Sequence, residues 1–149
     1  MKKIAINKCY GGFGLSAKAT KLYLKKQGKK CFFYKQTKYS HAGGKDEYSK
    51  ITLNQAQEEH FVNVYTKDMG MKFSKHIDKY YWYDSFYENR DDKLLIETIE
   101  ELGEKESSGQ LAEIKVVEIP DDIEYELDEY DGIESIHEKH RSWWYTYDG

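Results

Sequence analysis

The chain has one proline, two cysteines and, in its first 80 residues, no arginine. A single proline excludes a Pro-rich stalk or linker. The cysteines, Cys9 and Cys31, sit in unrelated contexts and form no CxxC pair. Two free thiols in a reducing compartment are expected, with a Cys9–Cys31 disulfide as the minor alternative. No apolar run approaches the length that spans a bilayer, so no membrane partner is expected. Met1-Lys2-Lys3 leads into only Ile4-Ala5-Ile6, too short for a secretory signal. These absences together predict a cytoplasmic protein.

Charge is unevenly spread. Residues 1–80 hold 17 lysines against 6 acidic residues, whereas residues 81–149 hold 6 basic against 21 acidic residues, for a net charge of -4. The lysine-rich half suggests nucleic acid, but no arginine accompanies it and the acidic half repels a polyanion. No nucleic-acid partner is expected. Attraction between the halves, or recruitment of a small anion by one face, fits the asymmetry better.

What the chain has in quantity is aromatics: 14 Tyr, 6 Phe and 3 Trp in 149 residues. Each buries a large area, so a folded core with tyrosine hydroxyls at its edge is predicted. Lys3–Asn7 reads as a strand and Ala17–Gln27 as a helix capped by Ser16 and stopped by Gly28. Lys30–Tyr34 reads as the next strand, which makes a strand–helix–strand opening. Residues 37–50 carry little apolar content and read as a long mobile loop. Strands are expected over Glu59–Tyr65 and Lys79–Tyr87. Leu95, Ile96, Ile99 and Leu102 recur at helical spacing, with Asp91 or Asp92 as cap and Gly103 as stop. After a polar connection over 104–110, a strand over Leu111–Ile119 precedes a C-terminal β-hairpin centred on Asp131-Gly132. The expected class is α/β or α+β. One domain spans residues 1–149, with a mixed sheet and helices packed on it.

The segments Asn7–Ser16, Val117–Asp122, Glu129–Gly132 and Glu138–Arg141 resemble a family of small proteins encoded by bacteriophages and prophages. The resemblance runs from the first strand to the C-terminal hairpin and is poor in the middle. It implies a phage setting, hence host cytoplasm, and supplies no catalytic residues. By analogy with other phage accessory proteins, it suggests capture or destruction of a host immune-signalling nucleotide.

The glycine-rich turn is the strongest chemical feature. Tyr10, Gly11, Gly12, Phe13, Gly14 and Ser16 join a strand to a helix start, where unobstructed amides favour phosphate or carboxylate. The pattern is neither a Walker loop nor a dinucleotide fingerprint. Tyr10 and Phe13 offer rings to stack on a base or sugar. The alternative is that the glycines only let the chain turn beneath a neighbour. Cys9 reads as structural, because a phosphatase-like loop wants an arginine where Leu15 stands. His140 and Arg141 offer charge to an anion, with a polar strand end as the plainer reading. His137 and His140 are three apart and not an HExxH signature, so no metal and no cofactor are expected.

The leading expectation is a non-catalytic binder of a nucleotide or other phosphorylated small molecule. Its ligand residues would be Tyr10, Gly11, Gly12, Phe13, Gly14, Ser16, His140 and Arg141. Whether the protein is an enzyme stays open, with Cys9, Asp91, His137 and His140 as candidate acids, bases or nucleophiles. A third reading is a protein-binding antagonist of a host factor that uses the acidic hairpin and the aromatic tail. Trp143 and Trp144 in that tail are read mainly as core cover, and also as a contact for a homo-oligomer.

Overall fold

The computed structural model describes residues 1–38, 46–59, 61–74, 79–83 and 89–139. Their elements run β1 (Lys2–Asn7), α1 (Ala17–Lys26), β2 (Phe32–Lys38), β3 (Glu47–Ile51), α2 (Leu53–Glu58) and β4 (Asn63–Tyr65). There follow β5 (Lys72–Phe73), α3 (Lys93–Leu102), α4 (Glu104–Ser107), β6 (Ile114–Ile119), β7 (Tyr125–Tyr130) and β8 (Ile133–Glu138). Helices pack on antiparallel strands, so the class is α+β.

The opening is strand, helix, strand in order, yet its two strands do not share a sheet. β1 pairs with β6 from Lys2–Ile119 to Asn7–Ile114, while β2 lies inside a four-stranded sheet ordered β4-β2-β3-β5. All pairings among the described residues are antiparallel, which corrects the expected single mixed sheet. The segment read as a loop over 37–50 is also corrected at its ends. Thr37 and Lys38 finish β2, and Glu47–Lys50 lie in β3, paired from Phe33–Ile51 to Lys38–Glu47. The pairing, together with burial of Tyr48, orders this otherwise polar stretch. Residues 39–45 lie outside the described residues.

Two hydrophobic clusters hold these layers. The first joins Ala5, Phe13, Tyr23, Leu95, Ile96, Ile99 and Ile114 between β1–β6, α1 and α3. Each fully buried Leu or Ile there contributes about 1.5–3 kcal/mol. Ser16 caps α1 by accepting the Ala19 amide at 3.1 Å, and Gly28 takes the left-handed φ of 77° just past its end. Asp92 caps α3 by accepting the Leu94 amide at 3.2 Å. The Tyr23 hydroxyl also donates to Asp92, tying α1 to the start of α3. Burial, and then that carboxylate, raise the Tyr23 phenol above its ordinary range.

The second cluster is almost wholly aromatic. Tyr34, Tyr48 and Tyr65 are buried around Phe73, with centroids 4.9, 5.2 and 5.0 Å from its ring. The Tyr34 hydroxyl is satisfied on both sides, donating to the Gly70 carbonyl at 2.8 Å and accepting the Met69 amide at 2.9 Å. Buried tyrosines are stable only with such partners. β4 is shorter than the strand expected over Glu59–Tyr65, and of the strand expected over Lys79–Tyr87 only a bridge from Tyr81 to Tyr65 is seen. Residues 84–88 lie outside the described residues.

Two short helices were not anticipated. α2 starts with a reciprocal box, in which Thr52 and Gln55 each accept the other's main-chain amide. α4 occupies part of the polar connection expected over 104–110. The hairpin forms as its turn residues require. Asp131 has φ 49° and Gly132 φ 92°, the two positive angles of a type I′ turn.

Candidate functional site

The glycine-rich turn leaves β1 at Asn7, whose side chain is fully buried and fully used. Its Nδ2 donates to the Cys9 carbonyl at 2.7 Å and to the Gly132 carbonyl at 2.6 Å, while its Oδ1 accepts the Glu113 amide at 2.8 Å. One asparagine thus holds the turn to the start of β6 and to the tip of the hairpin.

The near edge of the turn is clamped by backbone. Gly11 has φ 121°, and a Cβ there would collide with the Leu111 carbonyl oxygen. Its amide donates to Asp131 O at 3.4 Å. From the hairpin side, a Cβ on Gly132 would lie 2.6 Å from the Gly11 amide nitrogen and collide with that of Gly12. Only glycine permits two main chains to approach this closely.

Beneath the turn lies a buried ion pair. Arg90 grips Glu134 through two hydrogen bonds, Nη1 to Oε1 at 2.6 Å and Nη2 to Oε2 at 2.7 Å, with both side chains nearly solvent-free. Glu134 Oε1 also accepts the Asn7 amide at 2.8 Å, and Arg90 Nη1 reaches the Ala5 carbonyl at 3.3 Å. The guanidinium sits 3.8 Å from the centroid of the Phe13 ring. Phe13 is therefore a buried member of the first cluster that stacks on Arg90. It also lines the cleft beside the turn while the Arg90 guanidinium lies over its ring.

The far edge opens onto a cleft of about 500 Å³. Gly12 and Gly14 line it, and among the described residues neither of their amides has a hydrogen-bond partner. Neighbouring groups are used internally. The Gly14 carbonyl accepts the Gly109 amide at 2.8 Å, and the Ser16 amide donates to Ser107 O at 2.8 Å. The Ser16 hydroxyl donates to Glu106 O at 2.7 Å while capping α1. Ser16 lines the cleft with its hydroxyl committed to these partners.

The rest of the lining comes from elements the sequence did not connect to the turn. Phe33 of β2, Val64 of β4 and Trp82 give an apolar wall, and Trp82 meets Tyr23 edge-on at 6.3 Å between centroids. Gln57 of α2 accepts the Lys18 amide through Oε1 at 2.8 Å, and its carbonyl accepts Gln110 Nε2 at 2.9 Å. Those two bonds link α1, α2 and the 108–112 turn around the rim. Among the described residues, Lys105 is the one lysine or arginine of the lining and pairs with no carboxylate, while Glu59, with Lys35 at 3.6 Å, and Glu106 add carboxylates. No periodicity or motif marks these residues, since they meet only through the packing of β2 and α2 beside the turn. The one legible trace was the Thr52–Gln55 box, which announces α2.

Other sequence candidates fall elsewhere. Tyr10 is 66% exposed and does not line the cleft. Cys9 donates its thiol toward Leu111 O at 3.4 Å and Asn7 Oδ1 at 3.6 Å, a structural role at the turn's base. Cys31 is a second free thiol, and burial pushes it up to about 12. Asp91 is exposed. His137 lies on the hairpin, with Asp128 Oδ2 at 3.1 Å and Ser135 Oγ at 3.0 Å. None of Cys9, Asp91 and His137 lines the cleft. His140, Arg141, Trp143 and Trp144 lie outside the described residues. Among the described residues, no three His, Cys, Asp or Glu side chains converge as a metal site, and no helix is long and apolar enough to cross a membrane.

In comparisons with known proteins, the chain matches no protein-family model, no curated protein and no solved structure.

Proposed function

We propose that the protein binds, without transforming, a small phosphorylated molecule such as a nucleotide in the cleft beside the glycine-rich turn. The observation that supports this reading is that Gly12 and Gly14, whose amides have no hydrogen-bond partner among the described residues, line one cleft of ligand size with Lys105, beside Glu59 and Glu106. Small-molecule sites are concave and carry a few polar groups that fix a ligand, and this cleft is lined in about equal measure by polar and apolar surface. Backbone amides in a glycine turn favour an anion. With the phage resemblance, the ligand class extends to the nucleotides that signal infection in host cytoplasm. Sequestration is favoured over catalysis because Cys9, Asp91 and His137, the catalytic candidates among the described residues, stand away from the cleft; His140 lies outside the described residues.

The test is a thermal-shift screen with phosphorylated ligands, followed by calorimetry on those that stabilise. Binding at ten to a hundred times Kd raises stability by about 1.4–2.7 kcal/mol. Gly14→Asp, which puts a carboxylate beside the amides at a position whose backbone and surroundings accept a side chain, is expected to abolish binding. Recovery of the ligand unchanged after incubation supports sequestration, and product formation supports the enzyme reading. Failure of every phosphorylated ligand, inorganic phosphate included, overturns the proposal.

A further inference from the structure

The C-terminal hairpin rests on the body of the protein by one strand and one face. β8 is its inner strand, since Glu134 reaches both the Asn7 amide and Arg90. Opposite residues of an antiparallel pair share a face, and faces alternate along a strand. The register Glu129–Glu134 and Leu127–Ile136 therefore puts Tyr125, Leu127 and Glu129 on the face of buried Glu134. Tyr125 lies there under the Lys2 ammonium, 5.4 Å from its ring centroid. Glu126, Asp128 and Tyr130 take the opposite face and are exposed. The main chain alternates too. The Lys139 amide donates to the Glu124 carbonyl at 2.9 Å, one step beyond the pair Tyr125–Glu138. Hydrogen-bonded pairs recur at every second residue of such a ladder. Glu126, Asp128 and Tyr130 thus turn their amides and carbonyls to β8, while those of Tyr125, Leu127 and Glu129 turn away from it.

Among the described residues, those outward amides and carbonyls have no partner, and β7 pairs with no strand but β8. Open strand edges are normally blunted by proline, lysine, a bulge or a covering element. β7 has no proline and no lysine, and its register with β8 runs without a shift. Its guard is negative charge instead, from Glu126, Asp128 and Glu129. That charge repels an acidic strand, a second copy of β7 included, and attracts a basic one. We infer that β7 is a docking edge for an extended segment of a partner protein. The segment pairs with the outward main chain of Tyr125, Leu127 and Glu129 and carries lysine or arginine at alternate positions, beside Glu126 and Asp128. Main-chain hydrogen bonds hold such an added strand, and its side chains select it. No residue of β7 lines the cleft, so this surface is independent of the proposed ligand site.

The experiment titrates the full chain, at low salt, into a labelled short peptide that alternates lysine and valine, read by fluorescence anisotropy. This peptide is expected to bind about tenfold or more tighter than its counterpart with glutamate for lysine. N-methylation of its amides, which keeps the charge and removes the pairing, is expected to abolish binding. Glu126→Lys with Asp128→Lys, both on the exposed face, is expected to exchange the preference, so that the glutamate peptide binds the better. Amide hydrogen exchange locates the contact. The amides of Tyr125, Leu127 and Glu129 are expected to exchange freely in the chain alone and to slow about tenfold or more with the lysine peptide bound. Protection of those amides before any peptide is added means that a second copy or the chain itself already covers the edge, and overturns the inference. It is overturned equally if the lysine peptide does not bind, if the N-methylated peptide binds as tightly, or if charge reversal leaves the preference unchanged.

Discussion

Gly11 and Gly14 stand three residues apart on one turn and live under different constraints. Gly11 is pressed between Leu111 and the hairpin tip, with a positive φ and a main-chain partner at Asp131. Gly14 has open space beside it and an amide with no partner among the described residues. The same residue type thus serves the fold at one edge and leaves a vacancy at the other. The difference teaches that glycine density alone does not define a site. A glycine becomes a candidate for function when neither backbone angle nor neighbour accounts for it.

Mutations sort along this contrast. The largest loss is expected at the clamped edge, from Glu134→Ala, which leaves Arg90 buried without its counter-charge and deprives the Asn7 amide of an acceptor. Breaking a buried pair in this way costs about 3–5 kcal/mol, readable as a lowered urea midpoint. Replacing Arg90 and Glu134 together by Met and Leu is expected to recover the part of that loss due to the unpaired charge, the Asn7 amide still lacking its acceptor. A Glu134→Ala protein within about 1 kcal/mol of the parent would show that the clamp does not hold the turn.

Next comes Gly132→Ala, where a positive φ and the approach of the Gly12 amide nitrogen combine. Strain of this kind costs about 1–3 kcal/mol, measured by the same denaturation. Ser16→Ala removes the α1 cap and the bond to Glu106, for a loss of about 1 kcal/mol. Gly14→Ala sits at the bottom of the series for stability, within about 0.5 kcal/mol. Equal destabilisation by Gly132→Ala and Gly14→Ala would erase the contrast between the edges.

Much of the fold could be read from local signals, because those elements carry their own instructions. Ser16, Gly28, Asp92 and Gly103 mark the limits of α1 and α3, and Asp131-Gly132 dictates its hairpin turn. What local signals could not convey was association across the chain. Nothing in Lys30–Tyr34 says that β2 joins β3 and β4 rather than β1. The pair Arg90–Glu134 is 44 residues apart, and Glu134 sits on a strand whose alternation gives it no special mark. Of the expected ligand residues, Gly12 and Gly14 line the cleft, and their amides have no hydrogen-bond partner among the described residues. Phe13 and Ser16 are committed to packing and capping, and Tyr10 faces solvent. Trp82 and Gln57 were missed, since the cleft that unites them with the turn is a product of tertiary packing.

The bonds from Asn7 to Gly132 and Glu134 span 125 and 127 residues. A nascent chain on the ribosome has β1 and α1 long before it has the hairpin that pins the stretch between them. Contacts so distant in sequence form late and slowly, since a long loop must close before they give any return. The turn after β1 is therefore among the later segments to acquire its final shape, since its clamp waits for Gly132 and Glu134 to be made.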